Sequence, residues 1–213
     1  WRGGINYLFD NGISPYFSYS QSFEPVSGSG LDGKPFDPSR GEQYEAGVKY
    51  VPKDMPVVVT AAVYQLTKDK NLTADPRNPT FSIQTGEIRA RGLELEAKAA
   101  VNANINLTAA YTYTDAEYQH DTVFNGKRPA EVPRNMASLW ADYTFHETAL
   151  SGLTVGAGAR YVGSTVSYYK NDTADAKQND SFGVAGYALM DATVKYDLAR
   201  FGLPGSSVGI NVN

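Results

Sequence analysis

His120 and His146 are the only imidazoles in this 213-residue chain, and no cysteine accompanies them. An imidazole works as a general base or a metal ligand only with a second group within hydrogen-bond or coordination reach. Without cysteine, disulfides, thiolate metal sites and Cys nucleophiles are excluded. Asp172, Asp175 and Asp180 crowd the stretch KNDTADAKQND. Their spacing misses the EF-hand pattern and lacks its glycine and final glutamate, so a solvated loop is the better reading and no metal site is assigned. No nucleophile elbow, phosphate loop or paired acid of known spacing occurs. The sequence therefore assigns no catalytic residue and no cofactor. Its charges are placed differently, as GEIRARGLELEAKAA (86–100) shows. Leu93, Leu95, Ala97 and Ala99 share one parity with Arg89 and Arg91, while Glu94, Glu96 and Lys98 occupy the other.

Such alternation belongs to a strand with one apolar face. Period-2 segments run along the whole chain and predict strands at Arg2–Phe9, Pro15–Phe23, Gln43–Val51, Val57–Thr67, Phe81–Val101 (with an interruption near Gly86), Asn104–Tyr118, Asn135–Phe145, Leu153–Val162, Ala188–Leu198 and from Val208 onward. The connections alternate as well. Short turns lie at 10–14, 51–56, 101–104, 146–152 and 199–206, and long polar loops at 24–42, 68–80, 119–133 and 163–185. An antiparallel up-and-down meander puts every short turn at one end and every long loop at the other, as in an outer-membrane barrel. Sandwiches mix loop lengths at both ends. In this meander His120 and His146 fall at opposite ends, about 25 Å apart if the apolar band between them has its usual height, so they share no chemistry.

The faces agree. Ile105, Leu107, Ala109, Tyr111 and Tyr113 oppose Asn104, Asn106, Thr108, Thr112 and Thr114, and similar splits recur from 153 and from 188. Apolar faces this modest in bulk suit lipid better than an interdigitated core. Aromatic rings gather at strand ends, with Tyr7, Phe9, Tyr50, Tyr143, Phe145 and Tyr196 on the short-turn side and Tyr111, Tyr113 and Tyr161 on the long-loop side, as two interfacial belts require. No run approaches the roughly 18 apolar residues of a membrane helix, which excludes helical spans and leaves barrels open. A net charge of −4 offers no basic excess for nucleic acid. The chain opens on Trp1 and closes on GINVN inside a predicted strand, so a fragment of a longer chain is expected.

SPYFSYSQSFEP, QYEAGVKY, GEIRARGLELEAKA, AYTYTDAEY, PRNMASLWADYTF, GLTVGAGARYVGS and DATVKYDL together resemble the barrel of TonB-dependent siderophore receptors. Within that family the likeness is closest to the ferrichrome (ferric hydroxamate) receptors of enteric bacteria, with the ferrioxamine receptors hardest to set apart. The resemblance covers nearly the whole chain. It implies an all-β fold, part of a 22-stranded transmembrane barrel of the bacterial outer membrane that encloses an N-terminal plug, with import of a ferric siderophore powered by the TonB complex. Residues 1–213 would be the C-terminal portion of that barrel, about ten strands, without the plug, the TonB box or the last strand.

The site expectations follow from the meander. Glu94, Glu96, Lys98, Arg160, Asp191 and Lys195 face the lumen and the plug. Arg89 and Arg91 meet lipopolysaccharide above the apolar band, which itself faces outer-membrane lipid. Phe23, Tyr118, Phe124, Tyr168 and Tyr169, at or in the long loops, are the candidate siderophore contacts, although the resemblance puts most ligand contacts of the ferrichrome group in parts of the protein missing here. The long loops are also the surface that phage or colicin would meet. Two other classes stay open on residues alone, a soluble all-β binding module and an outer-membrane barrel enzyme.

Overall fold

Strict alternation with tight polar turns can satisfy its backbone only by pairing each strand with the next, and the structure, a computed structural model, does this. It describes residues 1–75, 78–121, 124–147, 149–170 and 179–212. The strands are β1 (Arg2–Asn6), β2 (Ile13–Glu24), β3 (Ser39–Tyr50), β4 (Val57–Asp75), β5 (Asn78–Ala100), β6 (Ile105–Gln119), β7 (Asn135–Thr144), β8 (Leu153–Val162), β9 (Thr165–Lys170), β10 (Asn179–Val184), β11 (Tyr187–Asp197) and β12 (Ser207–Val212), with a 3-10 turn at Leu198–Phe201. Ten of them form one antiparallel sheet in the order β1-β2-β3-β4-β5-β6-β7-β8-β11-β12, while β9 and β10 pair separately as a hairpin. The large sheet is open, and its outer strands β1 and β12 are exposed along their whole length.

Side-chain chemistry closes the short turns. Asn11 Oδ1 accepts from the Ile13 amide at 3.1 Å, and Asn102 Oδ1 accepts from the amides of Asn104 and Ile105 at 2.8 and 2.9 Å. Asp197 Oδ1 accepts from the Ala199 amide at 2.8 Å and starts the 3-10 turn. These Asx turns supply backbone partners that the strands cannot.

The register carries each face across the sheet. Phe17, Ala46, Val63, Leu93 and Tyr113 stand opposite one another in turn over β2 to β6. A lower row runs Val59, Ala97, Ala109, Leu139, Ala159, Met190 over β4 to β8 and β11. The other face carries Ser18, Glu45 and Tyr64 in one row and Ala62, Glu94, Thr112 and Met136 in the next. One face is thus mainly apolar along its lower and middle rows, with charged residues on it only toward the long-loop end, and the other face is mainly polar.

The molecule has no layered core. Among the described residues Ala62 and Ala116 are the buried hydrophobic side chains, while Val63, Leu139, Met190 and Val194 stay at least half exposed. A soluble sheet would have to bury that face against a second layer; here the face itself is the apolar surface.

Two predicted loops turn out to be structured. The 68–80 segment continues as strand, with β4 reaching Asp75 and β5 starting at Asn78, because cross-strand pairing carries a polar sequence where local hydropathy signals only a loop. The interruption near Gly86 is a register shift around Asn71–Gly86. Within 163–185, β9 and β10 form their own hairpin.

Candidate functional site

The polar face gathers the charges. Arg160 donates from Nε and Nη2 to the two carboxylate oxygens of Asp191, both at 2.8 Å. That fork joins β8 to β11 in the geometry that suits guanidinium and carboxylate best. Lys98 pairs with Glu96 at 2.7 Å. Glu45 accepts from the Tyr16 hydroxyl at 2.7 Å and from Gln43 Nε2 at 3.1 Å. Asn106 donates to Asp142 at 2.9 Å. Glu94 and Lys195, on the same face, have no ion-pair partner among the described residues. The register thus brings Glu94, Glu96, Lys98, Arg160, Asp191 and Lys195 onto one surface.

Three large rings on that face escaped the sequence reading. Tyr16 lies over Gly47, Tyr64 over Gly92, and Trp140 over Gly156 and Gly158. Each ring lies so close to its glycine that a methyl group added there would stand 2.6–2.7 Å from ring carbon. The rings lie flat on the sheet where glycine leaves room, so bulky aromatics occupy a polar face without standing up from it. Tyr64 also shares a 2.9 Å hydroxyl contact with Thr114. Only knowledge of which glycine stands opposite which ring could have found these pairs.

Arg91 and Arg89 stand on the apolar face, one pleat and two pleats above Leu93 respectively. Arg91 Nε donates to Gln65 Oε1 at 2.7 Å. Nearby on the same face Tyr19 and Tyr44 both donate to Glu42 Oε1 at 2.7 Å, with ring centroids 4.8 Å apart and Trp1 4.9 Å from Tyr19. This aromatic strip belongs to the long-loop side and was not foreseen. At the short-turn side Tyr7–Phe9 and Tyr143–Phe145 pack edge to face at 4.7 Å, and Tyr196 meets Phe201 at 6.1 Å.

The long loops dock on one another. Gln84 Oε1 accepts from the Asp37 amide at 2.7 Å, and its Nε2 donates to the Asp37 carbonyl at 2.6 Å and to the Lys70 carbonyl at 3.2 Å. Lys70 completes the latch with an ion pair to Asp37, which holds that carboxyl below its usual range. The loop after β6 reaches β9, where the Glu131 amide donates to the Val166 carbonyl.

The candidate ligand aromatics are only partly united. Tyr118 and Phe124 stack at 5.6 Å, with Lys127 over the Phe124 ring. Phe23 stands apart on β2, on the parity of Phe17, under the guanidinium of Arg40. Tyr168 and Tyr169 belong to β9, but their side chains lie outside the described residues, as do Asp172, Asp175 and the side chain of Asp180. His120 faces Glu87 at 3.4 Å at the long-loop end, whereas His146 meets the Ala103 carbonyl at the short-turn end. Among the described residues no cluster of His, Asp and Glu is placed to hold a metal.

Comparison with known proteins accounts for this geometry. The family model described as "TonB dependent receptor-like, beta-barrel" matches residues 1–213. The ferrichrome outer membrane transporter/phage receptor of Escherichia coli is 60% identical over 213 residues, covering all of this chain and 27% of the relative. The ferrioxamine B receptor of Salmonella typhimurium is 41% identical over 214 residues, covering all of this chain and 29% of the relative. Among solved structures, the ferripyoverdine receptor of Pseudomonas aeruginosa superposes with a TM-score of 0.77 at 24% identity, over 99% of this chain and 28% of that one. The siderophore receptor PiuA of Acinetobacter baumannii gives 0.73 at 26% identity, over 100% and 31%. The chain spans under a third of the length of each of these proteins, all of which are receptors or transporters rather than enzymes.

Proposed function

The chain belongs to the TonB-dependent receptor family, as its β-barrel, and from that premise we propose that it is the wall of an outer-membrane receptor importing a ferric hydroxamate siderophore of the ferrichrome type. The apolar face carried across the sheet, with short and long connections alternating by end, supports the wall, and the 60% identity to a ferrichrome transporter carries the ligand class. Lipid takes the apolar face, the periplasm the short turns and the cell exterior the long loops. Residues 1–213 form the C-terminal portion of the wall, and further strands of the receptor pair with the exposed backbones of β1 and β12, since an open sheet edge has no hydrogen-bond partner in hydrocarbon.

The polar face lines the lumen and holds the plug. Glu94 supports this most strongly, because it has no ion-pair partner among the described residues, and Glu45, two strands away on the same face, accepts only from neutral donors. Carboxylates left open on this face favour a cationic side chain on the plug. Glu96–Lys98 and Arg160–Asp191 are already paired and contribute polar surface more than charge. Energy comes from the TonB complex through the plug. The stacked pair of Tyr118, at the upper end of β6, and Phe124, in the loop that follows, stands on the exterior side toward the organic shell of the siderophore, and phage or colicin would find their footing on the long loops.

A ferrioxamine-type ligand is the second reading, favoured by the 41% identity to a ferrioxamine B receptor. Equilibrium binding to the purified full-length receptor, read by tryptophan fluorescence quenching, separates the two. Ferrichrome is expected to bind at least about tenfold more tightly than ferrioxamine B, a difference of about 1.4 kcal/mol. The reverse order would transfer the assignment to the second ligand.

A further inference from the structure

The polar face changes character toward its long-loop end over β6, β7, β8 and β11. One row there runs Thr112, Met136, Val162 and Tyr187, and the row below it Ala110, Ser138, Arg160 and Leu189. Met136 is 41% exposed, Leu189 46% and Tyr187 52%, so apolar surface stands open on the side read as lumenal. The small side chains of Ala110 and Ser138 make the floor of a hollow of about 220 Å³, with Met136 and Val162 as its upper wall.

The charge at the lower edge of the hollow is spent. Arg160 borders it there, but its guanidinium is committed to both carboxylate oxygens of Asp191, one row lower on β11. What Arg160 leaves against the hollow is its methylene stem. Water in a lumen gains nothing from such a surface, whereas an apolar side chain set into it escapes water. Volume decides between occupants. Small-molecule sites take roughly 300–1,000 Å³, so this hollow is too small for a siderophore and suits one large side chain. The row of Met136 continues through Thr112 to Glu94, which faces the plug in the reading above.

We propose that this hollow is a hydrophobic seat for the plug, taking one large aliphatic or aromatic side chain against Met136 and Val162, over Ala110 and Ser138. The inference rests on the reading of the polar face as plug-facing and adds a contact of a different kind. An ion pair at an exposed carboxylate weakens with salt, whereas an apolar side chain in a hollow does not. Met136 suits the role, because its unbranched thioether adapts to the shape of what it meets.

The test is photo-crosslinking in the full-length receptor, with and without ferrichrome. p-Benzoylphenylalanine takes the place of Leu189, beside the hollow, in one sample and of Lys195, lower on the same face of β11, in another. Heat-modifiable gel mobility checks that each variant is assembled. The expected result is a plug adduct from both positions, the one at 189 on an apolar plug residue and undiminished at about 1 M salt. Filling the floor with Ser138→Leu should lower the adduct at 189 about tenfold, whereas Ser138→Ala leaves it unchanged and neither variant alters the adduct at 195. With the 195 adduct present, a plug adduct at 189 that is missing, lost at high salt or indifferent to Ser138→Leu overturns the seat and leaves the plug-facing reading standing. An adduct at 189 to ferrichrome instead of the plug gives the hollow to the cargo and overturns the seat as well. Absence of plug adducts at both positions overturns the plug-facing reading itself, and the seat with it.

Discussion

The double variant Leu139→Arg/Ala159→Arg does not assemble in the outer membrane, whereas Ala110→Arg does. Leu139 and Ala159 are direct neighbours across β7 and β8, midway along the apolar face. An arginine at the bilayer midplane of a barrel costs about 2–4 kcal/mol, so two cost about 4–8. That is comparable with the lower half of the stability of an ordinary domain, about 5–15 kcal/mol. Ala110 is the sequence neighbour of Ala109 but points to the opposite face, where Glu96 stands opposite it in register. An arginine there meets a carboxylate in a polar setting. Fractionation followed by heat-modifiable gel mobility reads the outcome. Equal assembly of the two variants would show that the faces are assigned to the wrong sides.

The second large effect concerns Gly92. A methyl group at this position would stand 2.6 Å from the Tyr64 ring and closer still to the Tyr113 carbonyl of the neighbouring strand. The ring can shift, but the carbonyl is part of the ladder between β5 and β6 and cannot shift without breaking it. Overpacking of this kind costs about 1–3 kcal/mol, and a backbone clash puts Gly92→Ala at the upper end. The expected result is a clearly lower melting temperature of the folded barrel band, with Gly3→Ala unchanged because its added methyl would meet nothing within 4 Å. Adding Tyr64→Ala to Gly92→Ala should restore little, since the carbonyl remains. Full restoration would mean that the ring alone sets the need for glycine.

These two cases mark what was legible in the sequence. The apolar face was, because its signal is local: Leu93, Leu95, Ala97 and Ala99 alternate within a single strand, and the same period recurs along the sheet. The order of strands followed from the turns, since short connections force neighbours to pair. The rings on glycine were not legible, because Tyr64 and Gly92 lie 28 positions apart and meet only once the register is fixed. The loop latch was hidden for the same reason. Gln84 serves three backbone groups contributed by Asp37 and Lys70, and none of the three residues carries a motif. The β9–β10 hairpin pairs only with itself, apart from the large sheet, and its sequence lacks the strict alternation that marked the other strands. As for the site, the charges of the polar face were found by parity, but which were spent and which free was not. Asp191 is consumed by Arg160, whereas Glu94, in an apparently similar position, is left open.

The most direct test of the receptor assignment is radioactive iron uptake by cells that lack their own hydroxamate receptors and carry the full-length receptor with this wall. The account predicts saturable uptake of iron supplied as ferrichrome, abolished when the TonB complex is absent and competed by unlabelled ferrichrome. A receptor correctly assembled in the outer membrane that imports no ferric hydroxamate would contradict it.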